Sequence, residues 1–267
     1  MKNNVVVITG GSSGIGKALA AEFVQKGAHV IIGSRREDVL RETTAELITL
    51  SVRKDQRIDF HTLDVTDSES ISAFINYIID SFKKIDVLVN SAGFALCKEI
   101  EKTTLEEIEN QNESNYLGVI RMIKAVVPSM MIQESGHIIN IASMAGIMGV
   151  YGYTGYSPSK FAVVGLSDVL RIELQQFGIR VSVVLPPDTD TYSYHHENLT
   201  KPLITHKISG TVKLMQPEVL AAHIMMMISK GSYRIIPGVS SKVVYHLNRL
   251  FPDLLYWYSR QIIRKVS

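Results

Sequence analysis

The sequence predicts an α/β fold: a doubly wound, Rossmann-type parallel sheet of about seven strands flanked by helices. Short apolar, β-branched runs recur along the chain, and longer stretches with helical spacing separate most of them. A glycine-rich turn joins the first run to the first helix. Parallel strands need crossovers of this kind, and strands buried on both faces read as continuous apolar runs.

Strands are expected at Val5–Thr9, His29–Gly33, Asp59–Leu63, Asp86–Asn90, His137–Ile141, Arg180–Leu185 and Arg234–Ile236. Helices are expected at Ile15–Lys26, Arg36–Leu50, Glu69–Lys83, Leu105–Met131, Gly155–Phe177 and Pro217–Ser229. Run length and periodicity separate the two types. No linker interrupts the alternation. Residues 1–267 are therefore expected to form one domain, with 187–215 as a substrate loop or lid and 240–267 as an amphipathic tail.

A chain of 267 residues, 46% hydrophobic and 20% charged, can bury a full core. Its net charge of +2 carries no electrostatic footprint for nucleic acid. Cys97, the single cysteine, can close no intrachain disulfide and reads as a buried or half-buried thiol. A reducing, cytoplasmic setting is expected. Met1–Asn4 lead straight into the first strand and no run is long and charge-free enough to span a bilayer, so neither a signal peptide nor a membrane span is expected. His195-His196 is too isolated to predict a metal site.

The turn Thr9-Gly10-Gly11-Ser12-Ser13-Gly14-Ile15-Gly16 lies between the first strand and the first helix. Glycines there allow a sharp turn and close approach, and the helix N-terminus offers N–H groups to a pyrophosphate. The spacing is G-x-x-x-G-x-G rather than G-x-G-x-x-G. Gly10, Ser12, Ser13, Gly14, Ile15 and Gly16 are the expected phosphate cradle. The second strand ends at Ser34-Arg35-Arg36, where an NAD site usually places an acid. A hydroxyl and a guanidinium suit a 2′-phosphate, so NADPH/NADP+ is the expected cofactor, with Arg36 read as solvated. Asp64-Val65 follow the third strand, where Asp64 is placed to accept from the adenine amino group. Asp67 reads equally well as an acid at the next helix N-terminus.

Tyr156 and Lys160 stand at i and i+4, on one helix face. A free Tyr has a pKa of about 10, and a nearby cation lowers it, which readies the phenol for proton exchange with a carbonyl oxygen. Pro158 costs about 3 kcal/mol inside a helix but is tolerated in the first turn. The helix is therefore expected to begin near Tyr153 or Thr154.

The turn Thr9–Gly16, the segment Asn90-Ser91-Ala92-Gly93, Asn115, Ser143 and the Tyr156/Lys160 pair follow in this order. Together they resemble the short-chain dehydrogenase/reductase family across nearly the whole chain. The resemblance implies a tetrad. Ser143 would bond the substrate carbonyl, Tyr156 would give it a proton, and Lys160 would lower the Tyr156 pKa and hold the nicotinamide ribose. Asn115 would hold a water that feeds protons to Lys160. It further implies cofactor contacts from Asn90, Ala92, Gly93, Tyr156, Lys160, Pro186, Thr189 and Thr191. A homodimer or homotetramer across the helices bearing Asn115 and Tyr156 is implied as well. Read without the resemblance, Ser143 is a strand-end hydroxyl and Asn115 a helix-kink residue. Three positions depart from the usual pattern: Ser91 stands for Asn, Pro158 for Ala and Pro187 for Gly.

Pro186-Pro187-Asp188-Thr189-Asp190-Thr191, followed by Glu197-Asn198, Lys201-Pro202, Thr205, Ile208-Ser209 and Pro217-Glu218, is similar to the 3-ketodihydrosphingosine reductases of that family. This implies NADPH-dependent reduction of the C3 ketone of a long-chain sphingoid precursor. Asp188 and Asp190 read either as counterions for that substrate's ammonium or as loop caps. Two rival readings stand beside it: reduction of another hydrophobic carbonyl (steroid, retinoid or 3-oxoacyl), and a non-catalytic NADP(H) sensor. The segment Tyr192-Ser193-Tyr194-His195-His196 departs from the family's usual proline–glycine continuation. Eukaryotic members of this subfamily carry membrane anchors, which are not expected here.

The tail sets Lys242, Arg249, Arg260, Arg264 and Lys265 against Asp253. After Pro252, a helical stripe runs through Leu254, Leu255, Tyr258, Ile262 and Val266, with Trp257, Arg260 and Arg264 on the other side. Such a helix either lies on a membrane surface or packs over the active site or a second subunit.

Overall fold

In the computed structural model, which describes residues 1–209 and 214–266, seven strands form one parallel sheet. Residues 210–213 of the expected lid and Ser267 of the expected tail lie outside the described residues. The strands are β1 (Val5–Thr9), β2 (His29–Ser34), β3 (Ile58–Thr62), β4 (Val87–Asn90), β5 (Gly136–Ile141), β6 (Ile179–Val184) and β7 (Arg234–Ile235). Their spatial order is β3-β2-β1-β4-β5-β6-β7. The order reverses between β1 and β4, and doubly wound sheets bind ligands outside the strand ends at such a point.

The first helices are α1 (Gly14–Gln25), α2 (Glu37–Thr49), α3 (Ser68–Phe82), α4 (Leu105–Asn112), α5 (Gly118–Ile132) and α6 (Tyr156–Glu173). They are followed by α7 (Tyr192–Glu197), α8 (Leu203–Ser209), α9 (Pro217–Ser229), α10 (Val239–Leu250) and α11 (Pro252–Val266). Strand side chains alternate between two cores. Val6 and Ile8 of β1 pack with Leu19 and Phe23 of α1, Leu40 of α2 and Ile224 of α9. Val5 and Val7 pack with Phe74 of α3, Met122 of α5 and Val163 of α6. Each fully buried side chain of this size contributes about 1.5–3 kcal/mol.

Local chemistry sets several element ends. Asp67 caps α3 by accepting from the Glu69 N–H at 2.9 Å. Thr104 and Glu107 form a reciprocal capping box at the start of α4. Two expectations need correction. The single helix over Leu105–Met131 is broken by a π-helical turn at Glu113–Leu117, which carries Asn115. Such wide turns cluster at functional positions. α6 begins at Tyr156, later than Tyr153 or Thr154, because Tyr153 is drawn into a bridge with Lys98. Pro158 still falls in the first turn, where it breaks no hydrogen bond. The helix expected after Pro252 is α11, and α10, which the sequence reading left unassigned, precedes it.

Candidate active site

A cavity of about 410 Å³ opens at the C-terminal ends of β1, β4, β5 and β6. Its floor is the glycine turn. The Thr9 hydroxyl accepts from the N–H groups of Ser91 and Ala92, both at 3.1 Å, and so ties the end of β1 to the end of β4. Gly10 has φ +66°, and a Cβ there would lie 2.9 Å from Ala92 Cα. A Cβ on Gly16 would lie 2.3 Å from the Gly10 carbonyl oxygen. Ser12, Ser13, Gly14 and Ile15 line the cavity, and Ser13 makes no side-chain cap to α1. An uncapped helix end of this kind suits a pyrophosphate.

Ser143, Tyr156 and Lys160 line the far wall, and Asn115 stands behind it, outside the lining. Asn115 is fully buried. Its Oδ1 accepts from the Phe94 N–H at 2.9 Å, and its Nδ2 donates to the Phe94 carbonyl at 2.9 Å and to Ser159 Oγ at 3.1 Å. It thus holds the loop after β4. A Cβ on Gly93 would come within 2.5 Å of Asn115 Oδ1. Lys160 is buried, and its Nζ donates to the Ile141 carbonyl at 3.0 Å. Burial pulls the ammonium pKa down to about 8. Ser143 Oγ accepts from the Ala145 N–H at 3.1 Å, which leaves its own proton free to donate.

Ser143 also hydrogen-bonds the Tyr156 phenol. Burial pushes the Tyr156 pKa up, the Glu197 carboxylate adds to this, the Ser143 bond opposes it, and Asp188 adds a smaller push upward. In this structure these groups, not Lys160, dominate the phenol. It stays protonated, which suits a proton donor.

Several neighbours of Tyr156 entered the sequence reading only as parts of a pattern. The Tyr153 and Tyr156 rings lie 5.3 Å apart. Tyr153 donates its hydroxyl proton to Glu197 Oε1. Glu197 also pairs with Lys201, whose Nζ lies 2.7 Å away on a fully buried side chain. The Lys201 ammonium sits 4.5 Å from the Tyr194 ring centroid. Thr205 donates to the Tyr151 carbonyl at 2.8 Å. These contacts fasten α7 and α8 over the catalytic segment. The Glu197–Lys201 spacing was legible as an i,i+4 pair, but that pattern ordinarily marks a solvated face. Cys97 is buried, and burial pushes its thiol up to about 11, so it is no nucleophile.

The cofactor residues divide. Ala92, Gly93, Pro186, Thr189 and Thr191 line the cavity with the glycine turn. Thr189 donates to the Pro187 carbonyl at 2.9 Å, and Thr191 caps α7. Asn90 is turned away: its amide donates to Asn140 Oδ1 at 2.8 Å beneath the cavity. Ser34 ends β2, Arg35 follows it, and Asp64 and Val65 stand just beyond β3, all outside the cavity itself. Ser34 Oγ is buried without a hydrogen-bond partner among the described residues, and Arg35 is exposed near Asp64. Asp64 Oδ1 is occupied by the Thr66 N–H and hydroxyl at 2.9 and 2.7 Å. Val65 is buried and packs against Gly118. The open helix end and the crowded glycines fit a nicotinamide dinucleotide.

Asp190 does not enter the cavity. His195 Nε2 lies 2.7 Å from its Oδ1, and Gln216 Nε2 donates to its Oδ2 at 3.0 Å. Arg36 is exposed, and its guanidinium lies 5.9 Å from the ring centroid of the exposed Tyr192. Leu255, Tyr258 and Ser259 of α11 line the cavity, so the tail packs over the site. Among the described residues no helix is long and apolar enough to cross a membrane.

A family model described as short chain dehydrogenase matches residues 4–202. The chain is 37% identical over 229 residues to a 3-dehydrosphinganine reductase from Danio rerio, covering 85% of this chain and 69% of that one. It is 37% identical over 257 residues to a 3-ketodihydrosphingosine reductase from Dictyostelium discoideum, covering 91% and 77%. Among solved structures, a short-chain dehydrogenase from Streptomyces avermitilis superposes with a TM-score of 0.80 at 27% identity, covering 100% and 99% of the two chains. A metagenomic short-chain oxidoreductase in complex with NADP superposes with a TM-score of 0.71 at 25% identity, covering 88% and 95%. By sequence, fold and site alike, the chain belongs to the short chain dehydrogenase family.

Proposed function

We propose that the protein reduces the C3 ketone of 3-ketodihydrosphingosine to dihydrosphingosine with NADPH, in sphingolipid synthesis. The observation that carries this reading is the convergence of Ser143, Tyr156 and Lys160 on one cavity with the glycine turn. Relatives named for this reaction across most of the chain support the substrate. Tyr156 donates its proton to the ketone oxygen, and Ser143 donates a second hydrogen bond to the same oxygen. Lys160 supplies positive charge beneath the phenol and a donor toward the ribose. The nicotinamide, when bound, supplies the hydride. Asn115 acts as a positioning residue through Phe94. Ser34 and Arg35 favour NADPH over NADH, because a hydroxyl and a guanidinium pair with a 2′-phosphate.

The cavity's other wall is apolar, with Met144, Met148, Val150, Ile208, Val244 and Leu255, and suits an alkyl chain. On the outer side of the tail Tyr256 and Trp257 are exposed beside Arg260, which supports peripheral contact with an anionic lipid surface. Phe161, Val169 and Ile172 are exposed along α6, which supports a second copy docking there.

The test is NADPH oxidation with 3-ketodihydrosphingosine in detergent micelles, beside a steroid ketone and an acetoacetyl thioester. Saturable turnover confined to the sphingoid ketone is expected, and Tyr156→Phe should abolish it while NADPH still binds. Turnover with another ketone alone would overturn the substrate and keep the mechanism.

A further inference from the structure

Asp188 and Glu197 line the same corner of the cavity, against Tyr153 and Tyr156. Their situations differ. Glu197 is already engaged by the Tyr153 hydroxyl and the Lys201 ammonium. The Asp188 carboxylate makes no hydrogen bond or ion pair among the described residues, and Lys201 reaches it only through space. Burial accordingly pushes the Asp188 pKa up. With all three groups ionised, the corner carries one negative charge more than it carries positive.

The Asp188 backbone is held in place. The Met215 N–H donates to its carbonyl at 3.0 Å, and Asp190 N–H donates back to Met215 at 2.9 Å. Asp190, two residues on, spends its carboxylate on His195 and Gln216 outside the cavity. The two aspartates of the loop are thus separated: one faces the site and one faces away.

Both Asp188 and Glu197 act on the Tyr156 phenol, so they lie within charge range of the oxygen that meets the ketone. In 3-ketodihydrosphingosine the amine sits on the carbon next to that ketone. A carbonyl held by Tyr156 and Ser143 therefore carries its nitrogen into the same neighbourhood. We propose that Asp188, backed by the Glu197–Lys201 pair, is the counterion that selects a substrate ammonium beside the reacting ketone. This rests on the ketone-reductase reading above. A half-buried carboxylate without a partner, as Asp188 is, is costly, and an ammonium satisfies it with a charge-assisted bond. A ketone lacking the amine leaves it unpaired, and sites built this way reject such analogues.

The experiment compares kcat/KM for 3-ketodihydrosphingosine with that for its analogue carrying hydrogen in place of the amine. It is run on the wild type, Asp188→Asn and Asp188→Glu, with NADPH binding measured on each as a check of folding. The wild type should prefer the amino ketone. Asp188→Asn should lower the ratio of the two constants about ten- to a hundredfold, mainly through KM, and Asp188→Glu should restore most of it. An unchanged ratio in Asp188→Asn, or an equal loss on both ketones, overturns the inference and leaves the reductase reading intact. A wild type that reduces neither ketone overturns both.

Discussion

The Lys160 ammonium lies 5.6 Å from the centre of the Tyr156 ring and donates to the Ile141 carbonyl at 3.0 Å. It sits beneath the phenol rather than against its oxygen. Its burial lowers its own pKa to about 8, so it holds its charge below that pH and loses it above. The Tyr156 proton, raised by burial and by Glu197, stays on throughout the same range. kcat/KM for ketone reduction should therefore be level below a pH of about 8 and fall above it, by about tenfold per unit at the limit. A profile that rises through pH 8 would mean that a phenolate, not a phenol, is the working form.

Arg35 and Ser34 stand at the end of β2, where cofactor choice is made. Arg35→Ala should weaken NADPH binding about tenfold or more, in keeping with one lost charge-assisted contact, and leave NADH nearly unchanged. Fluorescence titration with both cofactors reads the difference. Equal loss of both would remove the 2′-phosphate contact from the argument.

Lys201 is a buried cation of the lid. Lys201→Met leaves Glu197 charged and unpaired, which costs about 3–5 kcal/mol. The Glu197–Lys201 pair helps tie the lid down, so the cost should appear first as lost amide protection across 192–209 in hydrogen exchange. Adding Glu197→Gln should recover much of that protection, because the uncompensated charge is then gone.

His137 is buried within β5 and its Nε2 lies 2.9 Å from Ser182 Oγ. Burial is the main cause that lowers its pKa to about 3 from an ordinary 6.5. Between those values the unfolded chain holds a proton that the folded chain refuses. Its stabilising contribution is present above pH 6.5 and is lost progressively as pH falls toward about 3. Urea unfolding should show a loss on the order of a few kcal/mol over that window, and His137→Gln should flatten it.

By itself the sequence determined the sheet, the glycine turn and the Tyr156/Lys160 face. These follow from short-range rules: a side-chain period of two in strands, i,i+4 adjacency on a helix, and glycine where backbones crowd. Element boundaries shifted where a distant contact won, as when the Lys98 bridge claimed Tyr153 from the helix. Only the tertiary structure decided which of two loop aspartates lines the cavity, since Asp188 and Asp190 share the same local chemistry. It also converted Glu197 and Lys201 from an ordinary surface spacing into a buried pair on Tyr153. The π-helical turn that turns Asn115 toward Phe94, and the packing of Leu255 and Tyr258 over the cavity, came from the same source. Burial and the direction of a loop side chain depend on what the rest of the chain brings against it. That information lies in long-range contacts, which local periodicity does not encode.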